Sequence, residues 1–191
     1  METTFYDDQL FEGINYSEQD IKGVEYQDCT FKKCNFLNGN FSGNKFSDCT
    51  FEECDLSMLK LNSSFLQSAT FKNCKILGVN FSECQDFLFS VSFKSCTLDY
   101  ASFAGKKLVK TSFTKCSLKQ ADFTQANLSG SVFGDCDLTD AVFDRTNLTE
   151  AKLDTAYNYA IDPEINMLKK ASFSVNGLAG LLSKYGIKIV Y

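Results

Sequence analysis

The chain has 191 residues, with 19 Lys plus Arg, 24 Asp plus Glu and no His, for a formal net charge of −5. That balance excludes long-range attraction to nucleic acid or an anionic membrane, and the lack of His removes the commonest general base and the Ser-His-Asp triad. An apolar content of 44% with 19 Phe and a single Pro fits a folded, strand-rich chain.

The opening residues, Met1 to Asp8, are acidic where a secretory signal is basic, and no apolar run long enough for a membrane span follows. A cytoplasmic protein is expected. Residues 1–10 precede the regular pattern and are expected to cap its N-terminal end. From Phe11 every fifth residue is large and apolar: Phe11, Tyr16, Ile21, Tyr26, Phe31, Phe36, Phe41, Phe46, Phe51, Leu56, Leu61, Leu66, Phe71, Ile76 and Phe81. Two before each sits a mostly small residue. Gly39 and Asn44 occupy that small slot, whereas Leu59 is large for it and is expected to deform its coil. Gly13, Gly23 and Gly43 suit tight corners.

The next in-phase position is Asp86, which breaks the rule, and the period resumes at Leu88. Two residues have therefore been inserted, and segment 82–88 should project as a bulge. It is either a tolerated insertion or a partner contact through Gln85, Asp86, Phe87 and Leu88. Then come Phe93, Leu98, Phe103, Leu108, Phe113, Leu118, Phe123, Leu128, Phe133, Leu138, Phe143 and Leu148, a strict alternation of Phe and Leu. With Leu153 the central positions number 29. A period of five matches neither a helix nor a flat strand. It marks an internal repeat, which must stack on its neighbours to bury its apolar face. Lys106 falls in a small slot; a local bulge with its ammonium turned to water is expected there.

Nine cysteines raise the question of metal or disulfides. Their phase answers it. Cys29, Cys34, Cys49, Cys54, Cys74, Cys96, Cys116 and Cys136 lie two before a central residue and Cys84 two before the displaced Asp86, so all nine take the small inward slot, where Cys acts as a small hydrophobe. No metal site is expected.

After Leu153, Asp162 and Pro163 read as the N-cap and first position of a helix running to about Lys170. Asn176 can cap a second helix through Lys184, stopped by Gly186. Leu178, Leu181, Leu182 and Tyr185 share one stripe of it, and Ile187 to Tyr191 has strand character. With Ile187 and Ile189 these residues offer more apolar surface than one rod end requires.

The repeat resembles the pentapeptide-repeat family. That likeness implies an all-β fold: a right-handed quadrilateral parallel β-helix with four repeats to a coil, plus a small C-terminal helical cap. It implies solenoid residues 11–156, with a phase shift at 82–88, and a dimerisation cap at 157–191. The segment Cys74-Lys75-Ile76-Leu77-Gly78-Val79-Asn80, the shift after it, and Tyr159-Ala160-Ile161-Asp162-Pro163 with Asn166 and Leu168-Lys169 resemble the topoisomerase-protecting branch. Self-immunity proteins against albicidin- and microcin-type gyrase poisons are nearer, and Qnr quinolone-resistance proteins more distant. The chain lacks the long second loop near Lys106 that many Qnr proteins carry.

The branch implies a homodimer, a DNA gyrase or topoisomerase IV partner, mimicry of DNA, and no enzyme activity, cofactor, metal, nucleic-acid ligand or small-molecule substrate. The alternative is a repeat scaffold with an unrelated partner. Residues 131–164 carry eight acids against two bases. Asp122 and Asp144 flank the Phe123 side of the coil, Asp137 flanks the Leu138 side, and Asp135 and Asp140 stand at its two ends. These five are the candidates for an acidic ridge that imitates phosphates; the plainer reading is a solvated acidic face.

Overall fold

A computed structural model describes residues 4–188 and 190. Strands twenty residues apart pair in parallel, as in Thr4↔Val24 and Phe31↔Phe51. One coil is therefore four repeats, and the chain winds into a four-sided parallel β-solenoid. The first side carries a four-stranded sheet: Thr4–Asp7, Val24–Gln27, Lys45–Ser47 and Phe65–Gln67. The second side carries nine strands, from Leu10–Glu12 to Ser172–Phe173. Single bridges stack the other two sides, for example Asn35↔Asp55↔Lys75↔Thr97 and Ser102↔Asp122↔Val142. Nine strands make eight steps of about 4.8 Å, so the rod is about 38 Å long.

The repeat unit follows from backbone chemistry. The central residue and the one two before it point inward and are buried through most of the rod. Where Asp or Asn precedes the central residue, its carboxyl or amide oxygen commonly accepts the N–H two residues on. Asn35, Asp55, Asp122, Asn127 and Asn147 do this at 2.9–3.1 Å. Two residues after the centre the chain turns through the left-handed region, where Asp28, Asn38, Asp48, Asn73 and Gly78 sit. Gly and Asn accept that conformation most easily, but the coil also imposes it on Lys33, Met58 and Lys115.

The interior is an aromatic stack. Phe11, Phe31, Phe51, Phe71, Phe93, Phe113 and Phe133 lie face to face at 4.9–5.3 Å. A second ladder, Phe81, Phe103, Phe123 and Phe143, runs at 4.8–5.3 Å. The two meet edge-on, as Phe113 does with Phe123 at 6.0 Å and 84°, an arrangement that suits aromatic quadrupoles. Leu fills the other two sides from Leu98 to Leu148, as the alternation predicts. In the first coils Tyr6, Tyr16, Tyr26, Phe36 and Phe46 make those sides aromatic as well.

All nine cysteines are buried and free. Six form one column: Cys34, Cys54, Cys74, Cys96, Cys116 and Cys136. Most donate weak hydrogen bonds to carbonyls of the coil before, for example Cys54 Sγ to Phe31 O at 3.3 Å and Cys136 Sγ to Phe113 O at 3.4 Å. Burial pushes the Cys49 and Cys84 thiols up to about 12. Among the described residues no helix is long and apolar enough to cross a membrane.

Several expectations change. Residues 4–10 do not cap the rod: Thr4–Asp7 and Leu10–Glu12 are its first strands. Tyr6, which the fivefold count also reaches, is the central residue of the first, and Phe11 of the second. The repeat does not end at Leu153, because Met167 bridges Asn147 and Ser172–Phe173 pairs with Lys152–Leu153. Segment 162–170 is not helical. Asp162 Oδ1 accepts the Glu164 N–H at 2.8 Å, so Asp162-Pro163 makes a turn within the last coil. Leu59 is buried without disrupting its coil, since the empty side of Gly39 in the coil before leaves it room. Ser174, not Asn176, caps the C-terminal helical turns, its Oγ accepting the Gly177 N–H at 3.1 Å. These are a 3-10 turn at Val175–Gly177, a short helix at Ala179–Leu182 and a 3-10 turn at Ser183–Tyr185. Gly186 then takes φ 59° and ends them as predicted. Among the described residues after it there is no strand; Ile189 and Tyr191 lie outside the described residues.

Candidate protein-binding surface

The five ridge candidates differ in what their carboxylates do. Asp135 and Asp140 occupy left-handed corners and are exposed. Asp144 is paired with Arg145 at 2.9 Å. Asp122 caps its corner by accepting the Thr124 N–H at 2.9 Å. Asp137 is the most committed. It accepts from the Thr139 N–H and hydroxyl, at 3.1 and 2.6 Å, and from Asn158 at 3.0 Å, and Lys119 lies 3.4 Å away. Partial burial works against ionisation there, but these hydrogen bonds hold the Asp137 carboxyl below the usual carboxylate range. Asp137 is thus a structural residue, and Asp135 and Asp140 are the freely presented pair.

The inserted segment is built differently from the sequence expectation. Ala69 pairs with Val91 and Phe71 with Phe93, which confirms two extra residues. Leu88 does not resume the buried column: it is exposed at φ 55°, and Phe89 packs against the core instead. Phe87 is 71% exposed and Leu88 54%. Phe87 lines an open groove of about 250 Å³ with Lys45, Ser47, Phe65 and Gln67. Gln85 and Ser90 N–H groups bond to the carbonyls of Ser64 and Leu66, both at 2.9 Å, so the bulge is hung on the coil before it.

Lys106 corrects the sequence reading most clearly. It is 2% exposed, and its ammonium is not in water. Nζ donates to the Cys84 carbonyl and to Asp86 Oδ1 at 2.7 Å, and lies 5.0 Å from the centre of the Phe89 ring. A buried ammonium persists only when paired and hydrogen-bonded. Here the bulge supplies both partners. The two irregularities of the sequence are one feature.

At the far end the helical turns sit on Tyr159. A Cβ added to Gly180 would lie 2.1 Å from the Tyr159 carbonyl oxygen, and one added to Gly177 1.9 Å from its hydroxyl. The Ile161 N–H bonds to the Gly180 carbonyl at 3.0 Å. Lys184 pairs with Asp162 at 2.7 Å and Glu164 at 2.5 Å, and the Tyr185 hydroxyl donates to Glu164 at 2.7 Å. The bonds from Lys184 hold both carboxyls below their usual range. Leu181 faces the rod and packs on its core. Leu178, Leu182, Tyr185 and Ile187 remain exposed, as do Tyr157, Ile165 and Met167.

A sequence model described as "Pentapeptide repeat region" matches residues 24–103 and 87–153. The chain belongs to the pentapeptide-repeat family. Two structures of trypsin-treated QnrB1, a plasmid-mediated fluoroquinolone resistance protein, share this pentapeptide-repeat fold. One is 20% identical with a TM-score of 0.68, covering 100% of this chain and 96% of that chain. The other is 18% identical with a TM-score of 0.59, covering 98% and 100%. No curated protein matches the sequence.

Proposed function

We propose that this pentapeptide-repeat protein is a DNA-mimicking binder of a type II topoisomerase, DNA gyrase or topoisomerase IV, and that it protects the enzyme from poisons of the fluoroquinolone, albicidin or microcin type. The observation that carries the reading is the pairing of two features at one end of a rigid rod. Free carboxylates at Asp135 and Asp140 stand close to an exposed apolar cap. The resemblance of the sequence to topoisomerase-protecting relatives supports the same reading.

The cap joins two copies through Leu178, Leu182, Tyr185 and Ile187. Complete burial of an exposed apolar side chain contributes about 1.5–3 kcal/mol; these four are about half exposed, so each contributes about half of that, and a two-fold axis repeats every contact. The doubled rod is then about 75 Å long, with the acid-rich residues 131–164 of both copies flanking its middle. Basic groups that hold duplex phosphates, one charge per ~1.7 Å of axis, meet a sparser line of carboxylates. The protein therefore binds more weakly than DNA and less well as salt rises.

The test is gyrase supercoiling with a fluoroquinolone present. Native protein should restore supercoiling, and Asp135→Lys/Asp140→Lys should restore much less. No rescue by native protein rejects topoisomerase protection; equal rescue by both proteins rejects the ridge.

A further inference from the structure

We infer that Lys106 is a positioning residue which locks the 85–90 bulge, so that Phe87 and Leu88 form a fixed apolar contact for a protein partner. This rests on the topoisomerase reading and names a second contact, away from the acidic ridge.

The geometry is a clamp closed from inside. Lys106 enters from the coil after the bulge, in the inward column that continues through Ala126 and Thr146. Its stem is buried in that column. Its ammonium reaches back to the Cys84 carbonyl, Asp86 and the face of Phe89. Asp86 is largely exposed and lies over the buried ammonium. One cation thus holds the start, the middle and the end of the bulge. Phe87 and Leu88 lie between these anchor points and turn to solvent.

The occupant follows by elimination on charge and distance. Net charge of −5 disfavours nucleic acid and anionic lipid. A second copy joined at the cap lies too far away. The bulge precedes Lys106, and Lys106 precedes Asn166 in the same column by three coils, so the separation is about 14–19 Å. Lys45 beside the groove is already paired with Glu25 at 2.5 Å, so the groove offers no free charge: Phe65 and Phe87 are its apolar walls, and Ser47 and Gln67 its neutral polar ones. A protein surface with an apolar recess fits that chemistry.

The experiment compares native protein with Phe87→Ala/Leu88→Ala, Lys106→Ala and Asp86→Ala in the gyrase assay. Hydrogen exchange of the bulge amides is followed in parallel. Phe87→Ala/Leu88→Ala should need at least about tenfold more protein for half-rescue, with unchanged melting temperature and mass in solution. Lys106→Ala and Asp86→Ala should lose rescue similarly. They should also speed exchange at 85–90 while strand Val91–Lys94 keeps its protection. Asp86→Ala removes no buried side chain and opens no cavity, so it tests the lock if Lys106→Ala folds poorly. Native rescue with undiminished rescue by Phe87→Ala/Leu88→Ala overturns the contact. Unchanged exchange in the folded lock variants overturns the lock. Bulge-dependent sedimentation with anionic phospholipid vesicles overturns the choice of partner. Failure of native protein to rescue is the separate failure of the topoisomerase reading.

Discussion

Gly180→Ala tests how the cap is held, because two effects of opposite sign meet there. Ala favours a helix over Gly by about 1 kcal/mol, so propensity alone predicts a more stable cap. The structure predicts the reverse. The added methyl would stand 2.1 Å from the Tyr159 carbonyl oxygen and 2.9 Å from Tyr159 Cδ2. Neither partner yields easily: Tyr159 is buried, and the Ile161 N–H to Gly180 carbonyl bond fixes the spacing. Overpacking of this kind costs about 1–3 kcal/mol, which outweighs the propensity gain over most of its range. The rod does not depend on the cap for its ladders, so the loss should be local. Far-UV circular dichroism should be nearly native, amides of 177–185 should exchange faster, and the proposed dimer should dissociate at higher concentration than that of native protein. An unchanged or raised cap stability would refute the close-packing argument.

Phe113→Ala removes a ring stacked on Phe93 at 5.3 Å and Phe133 at 5.0 Å, and should cost about 3–5 kcal/mol, read as a shift of the denaturation midpoint at constant slope. A loss below about 1 kcal/mol would show that the ladder is not a packed core. The thiols should resist alkylation. With Cys49 and Cys84 pushed up to about 12 by burial, only about one in ten thousand is thiolate at pH 8, and rapid labelling without denaturant would contradict the packing. The cap should loosen in acid. The folded carboxyls of Asp162 and Glu164 lie below their unfolded values, so their contribution is present above the ordinary carboxylate range and is lost as pH falls through the depressed folded values. The mass of the proposed dimer should be constant from pH 7 to about pH 5 and fall below about pH 4, and less so in Lys184→Met, whose weaker cap lacks the pairing.

The period of five was legible because each coil repeats one chemical demand, a large residue inward and a small one two before it. Legibility failed where a residue meets that demand through a neighbour twenty or twenty-two positions away. Leu168, Ala171 and Phe173 are in phase with Leu148, Ala151 and Leu153, yet Asn158 and Pro163 at the intervening centres hide the last coil. Asp162-Pro163 fits a helix start and a corner equally well, since both use an Asp side chain to accept an N–H two or three residues on. Lys106 looked like a defect when read along the chain. Read across coils it stands twenty residues after Asp86, the same interval that separates Glu25 from Lys45, Asp55 from Lys75 and Glu150 from Lys170, all paired.

The same distinction decides which acids serve a ridge. An Asp before the central residue is taken up by its corner, as in Asp122 and Asp137. An Asp two after the centre sits in a left-handed corner whose conformation it tolerates, and its carboxylate stays in water, as in Asp135 and Asp140. Phase within the repeat therefore separates acids that build the rod from acids it can present. A charge reversal at Asp137 disturbs the coil, whereas one at Asp135 and Asp140 changes the surface alone, which is why that pair discriminates between a structural and a binding role.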